Sequence, residues 1–350
     1  APDGRREAVT PVRAFTLSAP DAGISLVGGD GRERHWIAHL DAVPAPVRAL
    51  IVEALAPRDF APVLLQLRSV STFGVPSKEL DEVQKWTIPG WIDNQIHTVP
   101  ATFHRPYIES IYADLRGPRV DMGYDNNGDV SVGGNNVTTA FARAAVGGRD
   151  QLRQRVAFAF AQILVASRRD ANLSGRPLGM TDFHDIFVRH AFGNYRDILG
   201  EVARHPAMGR YLSHIGNQKA RPEINQFPDE NFARELMQLF TIGLWQLNMD
   251  GTRKLDGAGN FIPTYDNGDI TELARVFTGL WFGGKSWGSG GWSDDEHAVP
   301  MAMFPEKHDF GAKSLLGGFF VPARAESAAN GMRDIDDALD GGDTAHPHLG

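Results

Sequence analysis

Glu235, His308 and Asp309 are the residues whose types best suit acid–base chemistry, and cations that would hold an anion lie beside them. Apolar spacing through Phe232, Leu236, Leu239 and Phe240 predicts a helix opened by Asp229 and stopped at Gly243. On that helix Asn231, Arg234, Glu235 and Gln238 share a polar face. The face suits Glu235 as a general acid or base, with Asn231 and Arg234 gripping a polar substrate. It equally suits a solvated surface held by a Glu230–Arg234 pair. The run Lys307-His308-Asp309-Phe310-Gly311-Ala312-Lys313 brings together an imidazole, a carboxylate and an ammonium for a substrate anion. His190 falls on an apolar stripe with Phe183, Ile186 and Phe187, so its ring nitrogens must find partners away from water. It reads either as a substrate-binding residue supported by Asn194 or as a core histidine bonded to a backbone carbonyl.

Two loops carry further chemistry. Asp125, Asn127 and Asp129 are spaced oxygen donors of the kind that hold calcium, although the segment departs from the EF-hand register at Gly123 and Gly134. From Trp281 to Trp292, Trp281, Phe282, Trp287 and Trp292 alternate with glycines. Trp287 and Trp292 suit stacking on sugar faces, with Asp294, Asp295 and Glu296 near enough in sequence to bind hydroxyls. The alternative is a loop whose tryptophans pack back on the core. The sequence holds no HExxH, GxSxG or GxxxxGK[ST], which sets aside zincin proteases, α/β-hydrolases and P-loop enzymes.

The elements that must position these groups are helical. The chain has 350 residues, 42% hydrophobic and 22% charged, with a net charge of −8, so coating nucleic acid or an anionic membrane is not its main role. It contains no cysteine, which excludes disulfides and thiolate chemistry and fits an exported protein, as it also fits a cytosolic one. The first residues, Ala1-Pro2-Asp3-Gly4, carry no leader pattern, and the end at Gly350 reads as a loop entering a further element. No apolar run reaches transmembrane length; the longest, Val156 to Ala166, is broken by Gln162. Residues 1–60 read as an accessory segment, with a β-hairpin through Phe15–Leu17 and Ile24–Val27 and a helix from Pro46 to Leu55. Beyond them helices are expected over 77–86, 91–97 and 106–115, then a Gly- and Asn-rich loop over 117–136. Asp150 caps the helix expected at the centre of the core, Thr181 caps the next, and Asn194 and Pro206 open two more. Residues 248–268 read as a hairpin excursion, and Asp269 with Glu272 as a capping box. The fold class is mainly α: a multi-helix orthogonal bundle with a small N-terminal β element and a β-hairpin insertion.

Several blocks resemble a bacterial family, domain of unknown function 1800. They are Arg189-His190-Ala191-Phe192-Gly193-Asn194-Tyr195-Arg196-Asp197, His205-Pro206-Ala207-Met208, Asn231-Phe232-Ala233-Arg234-Glu235-Leu236 and Leu273-Ala274-Arg275-Val276-Phe277-Thr278-Gly279-Leu280, followed by His308-Asp309. The likeness spans about 66–350. It implies an exported, predominantly helical protein, a neighbouring exported partner related to sulfatases and phosphatases, and chain beyond Gly350; it supplies no activity. Two readings follow. In one, the protein is an exported hydrolase or lyase of a polysaccharide or similar polar polymer, acting through Glu235, His308 and Asp309. In the other it is a non-catalytic binding or assembly partner, and the polar blocks clamp helices together.

Overall fold

The computed structural model describes residues 9–13, 22–28, 33–55, 83, 85–116 and 132–340. The chain divides into two compact units, residues 1–69 with 242–264 and residues 70–241 with 265–350. The boundary expected at residue 60, the helix expected over 77–86 for most of its length, and the calcium ligands Asp125, Asn127 and Asp129 lie outside the described residues.

In the first unit β1 (Val9–Arg13), β2 (Ala22–Gly28) and β3 (Glu33–His39) form an antiparallel sheet in sequence order. The register sets Ile24 opposite Ile37, on one face. Leu40, with Ile51 and Leu55 four residues apart on α1 (Ala45–Leu55), closes a small core over that face. Phe15–Leu17 lies outside the described residues, and Ile24–Val27 is a central strand paired on both sides. Residues 245–263 form the expected excursion through the bridges Trp245–Pro263, Leu247–Arg253 and Leu255–Phe261. Its turns need φ near +80° at Gly251 and +87° at Gly259, where only glycine sits without strain.

The second unit is built of helices: α2 (Ile88–His97), α3 (Arg105–Arg116), α4 (Gly134–Gly147), α5 (Gln151–Ile163), α6 (Pro177–Arg189), α7 (Tyr195–Arg204), α8 (Pro206–Tyr211), α9 (Asn231–Glu235), α10 (Asn267–Val276) and α11 (Ala328–Asp340). Two-stranded pairs β4 (Leu280–Trp281) with β5 (Ala302–Met303), and β6 (Lys313–Ser314) with β7 (Phe320–Val321), tie the loops between α10 and α11. The mainly α class with small β elements holds.

Four local expectations are corrected. The central helix is α6, buried from Pro177 through Thr181 and again at Phe183 and from Asp185 to Val188, and packed against α3, α4, α5, α7 and α8. By contrast α5 buries only Gln151, Gln154, Ala157 and Ala161, while Ile163 is 45% exposed. Its inward stripe is small and polar, so its large residues ride at the edge. Thr181 does not cap α6: the helix starts at Pro177, suited to the first turn, and the Thr181 hydroxyl donates to the Pro177 carbonyl at 2.9 Å. The capping box of α10 is Asp266 with Asp269, one turn earlier than expected. Finally, α4 arises where the Gly-Asn-rich loop was expected to end, on a stripe of Val137, Ala140, Ala144 and Ala145 whose alanines carry little amphipathic signal.

Candidate functional site

His308 and Asp309, adjacent in sequence, face different ion clusters. His308 is wholly buried: Nδ1 lies 2.8 Å from the Thr278 carbonyl oxygen and Nε2 lies 3.2 Å from Asp334 Oδ2. Lys313, likewise wholly buried, donates to the same oxygen at 2.7 Å, and Arg324 donates to Asp334 Oδ1 at 2.6 Å. Burial pushes the Asp334 carboxyl up, but His308 and Lys313 outweigh it and hold the group below the usual carboxylate range. Asp309 accepts a fork from Arg275, at 2.8 Å to Nε and 3.1 Å to Nη2, and Arg275 also holds Glu272. Lys313 is wholly buried and donates to the Gly311 carbonyl as well as to Asp334, so it has no free face for a substrate anion.

Glu235 stands apart from them. It ends α9, immediately before a single π turn (Leu236–Phe240) that carries the helix on. Its Oε2 is buried without a hydrogen-bond partner, whereas Arg234 is held by Glu230 at 3.1 Å and Asn231 is exposed. Among the described residues no hydrogen bond or ion pair joins Glu235 to His308 or Asp309. His190 ends α6 half-buried, with Nε2 2.6 Å from Glu201 Oε1 on α7. Asn194 instead caps α7 by accepting from the Arg196 N–H at 2.9 Å. The residues nominated for catalysis are therefore not brought to one hollow.

A different set does line one. Asn172, Ser174, Gly175 and Arg176, leading into α6, face Arg210 from the end of α8 and Gly290, Gly291 and Trp292 across a cavity of about 430 Å³. That volume suits a small ligand. Among the described residues Arg176 donates only to carbonyl oxygens, those of Gly175 and Gly291, both at 3.2 Å, and its Nε is buried without a partner. Arg210 lies over the rings of Trp281 and Phe282, 5.7 and 5.0 Å from their centroids. Among the described residues neither guanidinium makes an ion pair with a carboxylate. Burial, reinforced by the charge of Arg176, pushes Arg210 below its ordinary value. Two like charges are thus held together with no carboxylate in ion-pair contact, and Asp294 acts on Arg176 only through space, an arrangement that an incoming anion relieves.

The loop expected to present aromatic rings divides by role. Trp281 donates Nε1–H to the Ser289 carbonyl at 2.7 Å, and Trp287 packs between Trp281, Phe304 and the Lys307 ammonium. Trp287 is therefore a packing residue. Trp292 is 84% exposed at the cavity rim. Gly291, at φ +82°, has no room for a side chain, because a Cβ would lie 2.5 Å from Arg210 Nη2 and 2.7 Å from the Phe282 ring. Glu296 holds the loop by accepting from the Gly291 and Trp292 N–H groups and pairing with Lys285 at 2.6 Å. Burial would push its carboxyl up, but Lys285 and the N–H groups of Ser293 and Gly291 dominate and hold it down to about 2.

Because the folded value lies below the unfolded one near 4.3, this stabilisation is present above pH ~4 and is lost as pH falls through about 2. Glu296→Gln is expected to cost about 1.5–3 kcal/mol at pH 7. Thermal melts at descending pH should show that difference closing toward pH 2.

Asp294, next along, accepts from the Leu178 and Gly179 N–H groups at 2.8 and 3.1 Å and so caps α6. It also accepts from the Tyr112 hydroxyl at 2.7 Å and lines a second cavity, of about 420 Å³, with Glu109 and Asp295. A larger cavity, about 930 Å³, lies between α3 and α4. Its walls are mostly apolar, and Arg143 stacks over the Tyr107 ring there, 4.8 Å from its centroid. It lacks the converging charges of the Arg176–Arg210 hollow.

The family model described as protein of unknown function (DUF1800) matches residues 66–341. The chain belongs to the DUF1800 family. The DUF1800 match takes in Arg176, Arg210 and Trp292 as well as the His308–Asp334 cluster. A second model, domain of unknown function (DUF1854), is similar to residues 6–81, which include the three-stranded sheet. No curated protein and no solved structure matches the chain. Sequence reasoning missed Arg176 and Arg210, because nothing in their spacing separates them from 26 other arginines.

Proposed function

We propose that this DUF1800 protein is an exported binding protein for an acidic sugar polymer, taken at the Arg176–Arg210–Trp292 hollow. The observation that carries this is the pair of guanidiniums that, among the described residues, make no ion-pair contact with a carboxylate and line one ligand-sized cavity. Guanidinium forks match the geometry of carboxylate and sulfate groups, and the exposed Trp292 ring supplies a face for a pyranose. Asn172 and Ser174 add short polar groups that suit hydroxyls. The cysteine-free composition suits an exported protein.

Calorimetric titration with uronate-containing and neutral oligosaccharides of equal length tests the reading, with a reducing-end assay run beside it. Binding of the acidic series alone, weakening as salt rises and without new reducing ends, is the expected result. Equal affinity for both series would contradict it, and release of reducing ends would return the case to a hydrolase or lyase. Trp292→Ala is expected to weaken binding roughly three- to ten-fold. Melting temperature should not move, because the ring makes little contact with the fold.

A further inference from the structure

The loop between α5 and α6 separates the anion hollow from a second cavity. On one side Asn172, Ser174 and Arg176 line the hollow. On the other, Ser167, Arg168 and Arg169 line a cavity of about 300 Å³, with His184 of α6 in its wall. The two cavities share one short piece of chain, and each is lined by two arginines. Arg168 and Arg169 are exposed, and among the described residues neither pairs with a carboxylate. Arg168 donates to the Gly134 carbonyl at 3.2 Å, which ties its guanidinium to the start of α4. Asp170, the acidic residue of the loop, turns Oδ1 back onto the Asn172 N–H at 2.8 Å.

The loop is wound tightly enough to keep the two cavities near one another. The Asp170 N–H donates to the Ser167 carbonyl, that of Leu173 to Asp170 and that of Arg176 to Leu173, at 3.0, 3.1 and 3.0 Å. A turn of this kind keeps its first and fourth Cα atoms within about 7 Å, so Ser167 and Arg176 lie at most about 21 Å apart. Leu173, only 1% exposed, pins the middle of the loop to the core. Ala171, Asn172, Ser174 and Gly175 between the cavities are small and exposed, as the path of a polymer requires.

Burial, reinforced by the charge of His104, pushes His184 down to about 4, so its ring is neutral at pH 7. A neutral imidazole suits a hydroxyl, whereas the two guanidiniums suit a carboxylate or sulfate. We propose that Arg168 and Arg169 form a second anion subsite, so that one acidic polymer is held at both cavities across the loop. The subsite rests on the Arg176–Arg210 reading and adds a length requirement to it. A ligand held at the first cavity meets the second at a high effective concentration, so a chain that spans both gains affinity.

The test is calorimetric titration of the full chain with the dimer and the hexamer of galacturonate. The hexamer, one per chain, is expected to bind roughly 10- to 100-fold tighter than the dimer. In the double variant Arg168→Gln, Arg169→Gln the dimer should bind as it does to the parent, while the hexamer's advantage falls below about threefold. Glutamine keeps an N–H for the Gly134 carbonyl, and an unchanged dimer affinity shows that the variant is folded. Arg143→Gln with Arg149→Gln removes the same charge at the cavity between α3 and α4, and it should keep the advantage. That control separates a subsite from the field of the whole protein. The proposal is overturned if the hexamer gains nothing in the parent, if the gain survives loss of Arg168 and Arg169, or if the control loses it equally. Dimer binding with no gain in length sinks this inference alone. Failure of both lengths to bind sinks the Arg176–Arg210 reading with it.

Discussion

Replacing Arg176 and Arg210 together by alanine is expected to weaken binding of an acidic oligosaccharide by roughly 100-fold or more. A charge-assisted hydrogen bond contributes about 1.5–3 kcal/mol, and every 1.4 kcal/mol is about tenfold in affinity. Two guanidiniums acting on one anion therefore exceed 100-fold even at the lower end. Stability should hardly change. Neither side chain makes an ion-pair contact whose loss would strand a carboxylate, and removing both ends their mutual repulsion, which offsets the lost stacking of Arg210 on Trp281 and Phe282 and the lost through-space attraction of Arg176 for Asp294. Arg210→Lys separates charge from shape: an ammonium keeps the charge and loses the fork, so an intermediate affinity is expected. Calorimetry paired with thermal melts reads both quantities.

Asp334→Asn is expected to give the largest stability loss. The side chain is wholly buried, and its two oxygens serve His308, Lys313 and Arg324. An amide would leave Lys313, itself fully buried, without its counter-charge. Breaking a buried pair in this way costs about 3–5 kcal/mol, equivalent to roughly 10 °C in melting temperature for a chain of this size. The Asp334 carboxyl is held below its unfolded value, so its contribution is complete above pH ~4 and disappears as pH falls below that range. Parent and variant melts should therefore converge in acid. The same substitution should leave acidic-sugar affinity intact, because the cluster lines none of the cavities described above.

The sequence made the architecture legible wherever a stripe or a cap was strong. Asn194 caps α7, Pro206 opens α8 and the excursion turns at Gly251, each as its residue type requires. Where the inward face is alanine, as on α4, periodicity carries too little contrast. Where a helix is buried nearly all round, as α6 is, its own sequence cannot say that it is the centre, because neighbours decide that. The hollow was half legible. Trp292 stood out among the glycines, but Trp287 did not reveal that it packs on Phe304. Arg176 and Arg210 signify only through the carboxylates they lack, and absence of a partner is a property of three dimensions. His308, Asp309 and Lys313 were nominated by type, yet burial sets His308 and Lys313 in a dry ionic clamp on Asp334 while Asp309 pairs with Arg275.

A crystal structure of the protein bound to a uronate-containing oligosaccharide would show where the polymer sits. A carboxylate within hydrogen-bond reach of both Arg176 and Arg210, and a pyranose ring lying over Trp292, are expected. An oligosaccharide found instead in the apolar cavity between α3 and α4, or beside Glu235 with both guanidiniums untouched, would contradict the proposed function.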